Sequence, residues 1–167
     1  MNKANVILIL LISILIVGCQ NSAEVVTGEV SEKLEYGESW LTVTGTEIKD
    51  KLVIVENGEE MDLTFEEGHK AILIDTSLHA GDIELDHTNF SIESEGEADI
   101  TPYEALPSNE DFEYLEKDRV INFNKSSTGT LEGNLLFSFS EEEIKNNKNT
   151  LVVEFEGVEF RVPLKLN

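Results

Sequence analysis

Short segments of alternating polarity, turn signals at intervals of roughly ten residues and the lack of a long amphipathic helix predict an all-β protein. The architecture that buries such strands is an antiparallel β-sandwich, here with one short helix. Two stretches carry the expectation most strongly. Leu131, Gly133, Leu135, Phe137 and Phe139 share one parity, so one strand face is a line of apolar groups. Leu151–Phe155 and Val158–Leu164 flank Glu156-Gly157, and folding there pairs Phe155 with Val158, Val153 with Phe160 and Leu151 with Val162, all on one face.

The remaining elements are taken in chain order. Lys3 precedes the twelve-residue run Val6 to Val17, apolar but for Ser13, which ends in Ile16-Val17-Gly18-Cys19. A basic n-region, a short apolar core and a small residue before the break define a secretory signal peptide over residues 1–18. The run is too short to span a bilayer, which needs about 20 residues. It is apolar on every side, unlike the striped surface helix of a globular domain. Its ending resembles the lipobox of bacterial lipoproteins, which implies that the Cys19 thiol is acylated and becomes the new N-terminus. Cys19 is the only cysteine. Residues 19–35 then read as the lipidated Cys followed by a flexible polar tether, and residues 36–167 as one domain.

Within that domain Trp40-Leu41-Thr42-Val43-Thr44 alternates as a first strand. Asn57-Gly58 supplies the positive φ angles of a type I′ hairpin, setting Leu52 opposite Leu63 and Ile54 opposite Met61. Lys70–Leu78 opens as a nearly continuous apolar run and reads as a central strand buried on both faces at its start. Asp82–His87 keeps a strict period of two and reads as a further strand, followed by another at Asn89–Glu93. Residues 99–118, with Pro102 and Pro107, form a long connection with one helical turn expected near Phe112–Leu115. Ser140-Glu141-Glu142-Glu143 matches a capping box and predicts the short helix.

Composition narrows the partners. Losing residues 1–18 from 167 leaves 149 residues; it removes Lys3 from 12 basic residues against 34 acidic ones, so 11 − 34 gives −23. Nucleic acid and bare anionic lipid surfaces both call for basic patches, so nucleic acid is excluded as a partner. Solubility accounts for the charge, and cationic ligands are compatible with it. With Cys19 acylated no disulfide forms within the domain, and stability rests on the core.

A resemblance reinforces the fold. Gly68-His69-Lys70-Ala71-Ile72-Leu73-Ile74-Asp75-Thr76-Ser77 followed by Asn89-Phe90-Ser91-Ile92, and later Gly129-Thr130-Leu131-Glu132-Gly133-Asn134-Leu135-Leu136-Phe137-Ser138-Phe139, are packing motifs. They resemble those of Gram-positive immunoglobulin-like lipoprotein domains of unknown function, similar in fold to a secreted mycobacterial immunoprotective antigen. The resemblance spans residues 36 to 164 and implies an immunoglobulin-like antiparallel β-sandwich. His79-Ala80-Gly81-Asp82 departs from the family's usual Asn-x-Gly loop, and the family supplies no catalytic residue to carry over.

Chemistry is sparse. There is no Gly-x-Ser-x-Gly elbow and no Gly-rich loop leading into a helix, and no cofactor signature accompanies them. The chain therefore reads as non-enzymatic. Two readings of its sites follow. In the first, the domain is a binding or interaction module, its ligand an envelope protein or a cationic molecule, with Trp40, Tyr103 and Tyr114, and also Tyr36, as contact residues. The alternative placement of Trp40 is in the core. In the second, His79, Asp82, Glu84, Asp86 and His87, with His69 and Asp75 nearby, hold a divalent cation through imidazole and carboxylate ligands. Against it, the spacing lacks the Gly of a calcium loop, and Ile83 and Leu85 alternate with the acids as on a solvated strand face. The expected location is extracytoplasmic, on the outer face of the bacterial membrane, held there by lipid on Cys19.

Overall fold

The computed structural model describes residues 23–56, 59–63, 65–94, 112–114, 120–121, 129–145 and 148–166. Eleven strands occur among them: β1 (Glu24–Thr27), β2 (Lys33–Tyr36), β3 (Ser39–Lys49), β4 (Leu52–Glu56), β5 (Glu59–Leu63), β6 (His69–His79), β7 (Phe90–Ser94), β8 (Phe112–Tyr114), β9 (Thr130–Ser140), β10 (Asn149–Phe155) and β11 (Val158–Leu164). One short helix, α1 (Glu141–Lys145), joins β9 to β10.

Two four-stranded sheets, ordered β1-β11-β10-β7 and β2-β3-β6-β9, form the β-sandwich. Their inward side chains make one core in which Phe90, Phe137, Phe139 and Phe160 are fully enclosed. The C-terminal hairpin has the expected register, Leu151 to Val162, Val153 to Phe160 and Phe155 to Val158, with all six residues buried. Its two turn residues both have positive φ, 42° at Glu156 and 80° at Gly157, the geometry that matches the twist of the flanking strands.

A third sheet, β5-β4-β8, contributes Leu52 to a second, smaller core on the outer side of β6 and β9. There Leu52, Ala71, Leu73 and Leu136 are buried, with Leu63, Phe65 and Val120 packed beside them. This explains the unbroken run Ala71-Ile72-Leu73-Ile74: Ile72 and Ile74 enter the main core, Ala71 and Leu73 the second. The β4–β5 register is the expected one, while its turn, Asn57-Gly58, lies outside the described residues. The capping box forms as well: Ser140 Oγ accepts from the Glu143 amide at 3.3 Å and the Glu143 carboxylate accepts from the Ser140 amide.

Three expectations are corrected. Within the supposed tether, residues 24–27 and 33–35 belong to strands, the second running on to Tyr36. β1 runs parallel to β11, with the Glu24 amide donating to Gly157 O at 2.7 Å and the Gly28 amide to Arg161 O at 3.2 Å, while β2 pairs with β3. Each needs only one inward anchor, Val26 against the core and Leu34 at 4% exposure, too little for alternation to register in the sequence. Asp82–His87 is not a ladder strand but the crossing from one sheet to the other. Its alternation serves to insert Ile83 and Leu85 into the core before a 3-10 turn at His87–Asn89. Near Phe112 a strand, not a helical turn, pairs with β4.

Candidate functional site

Parity decides where the only tryptophan goes. Leu41 and Val43 face the core, so Trp40 and Thr42 face outward from the β2-β3-β6-β9 sheet. Trp40 is half-buried on that outer surface, which corrects its alternative placement in the core. Directly across on β6 is His79, whose ring lies 6.2 Å from the indole at an interplanar angle of 20°. On the β2 side, Lys33 Nζ stands 5.1 Å over the indole and also pairs with the exposed Glu35. His79 Nδ1 is 3.0 Å from Thr130 Oγ1 on β9. Four strands thus hold one polar row, Glu35, Trp40, His79 and Thr130, whose neighbouring row is Thr42, Ser77 and Glu132. One aromatic ring is thus held between an ammonium group and an imidazole, on a sheet surface that also carries hydroxyls and carboxylates.

Of the other contact candidates, Tyr36 is exposed beside the β2–β3 turn, Tyr103 lies outside the described residues, and Tyr114 ends β8 opposite Ile54. Tyr36 lies near Trp40, as its cross-strand partner is Ser39.

The cation candidates share an end of the sandwich without converging. His79 is engaged with Trp40 and Thr130. Asp82 and Glu84 are exposed on the crossing segment. Asp86 caps the 3-10 turn, its carboxylate accepting from the Thr88 hydroxyl at 2.6 Å and the Thr88 amide at 2.7 Å, which together hold its pKa below the ordinary carboxylate value. His87 follows within that turn. Among the described residues no three His, Cys, Asp or Glu side chains gather as ligands.

Two features were not foreseen. His69 Nδ1 lies 3.2 Å from Ser138 Oγ across β6 and β9. A groove of about 350 Å³, lined by Glu29, Val30, Gly45, Thr46, Pro163 and Lys165, opens between the β1–β2 turn and the bulge in β3. Tertiary pairing brings those distant residues together: β1 runs beside β11, and Thr46 Oγ1 donates to Lys165 O at 3.2 Å.

No protein-family model matches the chain, and no curated protein matches it. Among solved structures it is similar to an uncharacterized β-sandwich protein from Clostridium difficile, with a TM-score of 0.50 and 14% identity over 84% of this chain and 93% of that one. It is also similar to the yjhA protein from Bacillus subtilis, with a TM-score of 0.48 and 16% identity over 81% of this chain and 98% of that one. The first likeness is one of fold, and it agrees with the β-sandwich seen here.

Proposed function

We propose that the protein is an extracytoplasmic lipoprotein, acylated at Cys19, whose β-sandwich is a non-enzymatic binding module with the Trp40 face as its contact surface. The carrying observation is the position of Trp40: a large aromatic side chain kept out of the core and ordered by Lys33 and His79 on an outer sheet face. Aromatic residues held rigidly at a surface supply contact area at low conformational cost, which is why they anchor interfaces. The strand order adds support for the finer fold reading. β3-β6-β9 facing β7-β10-β11 follows the A-B-E and C-F-G order of an immunoglobulin-like sandwich, with β4 and β5 inserted after the first strand. This agrees with the Gram-positive lipoprotein resemblance.

The test is capture from a cell-envelope extract by the soluble chain, residues 20–167, beside its Trp40→Ala variant, with matched melting curves showing that both are folded. Capture of a discrete component that drops at least tenfold with Trp40→Ala supports the reading. Equal capture by both chains removes Trp40 from the contact surface.

A further inference from the structure

The incorporation of residues 24–27 into the sandwich changes how far the domain stands from its anchor. The Glu24 amide is bonded to Gly157 O, so β1 starts beside the β10–β11 turn. Only Gln20, Asn21, Ser22 and Ala23 separate Cys19 from Glu24. Even fully extended, those five residue steps span at most about 18 Å. The anchor site and one end of the sandwich are therefore close, whatever path the connection takes.

The register shows what occupies that end. Thr46 Oγ1 donates to Lys165 O at 3.2 Å, tying the far half of β3 to the end of β11. The Ser39–Trp40 end of β3 consequently lies toward Val158, the same end as Glu24 and Gly157. β6 runs antiparallel to β3, which brings His79 there, and Asn89 Nδ2 donates to Glu154 O at 2.9 Å, which brings the 3-10 turn there too. The opposite end, with the turn before His69 and helix α1, is separated from it by the eleven residues of β3, about 35 Å of strand.

Resting on the reading of Cys19 as the acylated residue, we propose that the sandwich is membrane-apposed. Its Glu156–Gly157 end is held within about 18 Å of the bilayer, and the Trp40 face meets extracytoplasmic segments of proteins embedded in that same membrane. Exposed Glu24, Glu38, Asp82, Glu84, Asp86 and Glu156 at this end repel anionic headgroups. The end therefore stands beside the lipid without entering it, and a basic protein segment complements it.

Trp40, the sole tryptophan, is a built-in reporter. The full lipoprotein is bound to phosphatidylcholine–phosphatidylglycerol vesicles containing dansyl-headgroup lipid, and energy transfer from Trp40 to dansyl is measured. Three chains are compared: the natural one, one with twenty Gly/Ser residues inserted between Ala23 and Glu24, and a Trp40→Phe/Glu67→Trp double variant with its reporter at the far end. Apposition predicts strong transfer from Trp40 and a severalfold drop in each of the other two. Equal transfer from all three, with Cys19 acylated by mass spectrometry, overturns apposition and leaves the anchor standing. An unacylated Cys19 overturns the anchor and apposition together.

Discussion

At the scale of single residues, Trp40 and Phe160 make opposite contributions and separate surface from core. Phe160 has no exposed surface and faces Val153 across the hairpin; Phe160→Ala is expected to cost about 3–5 kcal/mol, read from urea denaturation. Trp40 has a cation–π contact and a cross-strand pair, each worth up to about 1 kcal/mol at a partly exposed site. Trp40→Ala is accordingly expected to cost no more than about 2 kcal/mol, and a loss as large as that of Phe160→Ala would place the indole in the core. The sequence left Trp40 open between surface and core, although its parity with Thr42 and Thr44, and not with Leu41 and Val43, matches the outward face it takes. Its partner His79 was not legible, since it reaches Trp40 through the distant pairing of β3 with β6, while Lys33 comes by the β2–β3 hairpin, whose four-residue first strand is too short to show a period. Asp86 offers a pH test. Its folded pKa is depressed by the Thr88 hydroxyl and then by the Thr88 amide. The stability it adds is present above the unfolded carboxylate value of about 3.9 and fades as pH falls through the lower folded value. The stability gap between the natural chain and Asp86→Ala should therefore narrow on acidification below about pH 4. A gap that widens there would show that the carboxylate is not the favoured form.

At the scale of elements, legibility followed loop length and the number of anchoring side chains. The β10–β11 hairpin was readable because a two-residue turn leaves one register that puts all six apolar residues on the same face. Gly157, at a φ of 80°, should resist substitution: Gly157→Val is expected to cost about 1–2 kcal/mol in urea melts because a Cβ crowds the carbonyl in that conformation. β6 was readable for a different reason, its double burial being written as a continuous apolar run. β1 and β2 were not, because four residues with one inward side chain do not establish a period. In Asp82–His87 the periodic signal was present but served a crossing chain, since burying Ile83 and Leu85 needs no ladder. Gly28 is a further mark of this region's packing. A Cβ there would lie 2.2 Å from Leu34 Cδ2, so Gly28→Ala is expected to displace the Leu34 plug and lower the urea midpoint.

At the scale of the whole molecule, the first strand among the described residues starts at Glu24 and not near residue 36, so the proposed anchor at Cys19 would leave almost no spacer. A chain starting at Gly37 loses the burial of Leu34 and the edge pairing of β1, and is expected to be at least about 2 kcal/mol less stable than one starting at Gln20. Coincident urea midpoints would show that the two strands are dispensable. The central claim, an exported sandwich held to the membrane through Cys19, is tested most directly by the mass of the protein recovered from the membrane fraction. The account predicts a chain that begins at Cys19 and carries two or three acyl groups. A chain that retains Met1, or one that begins at Cys19 without lipid, would contradict it.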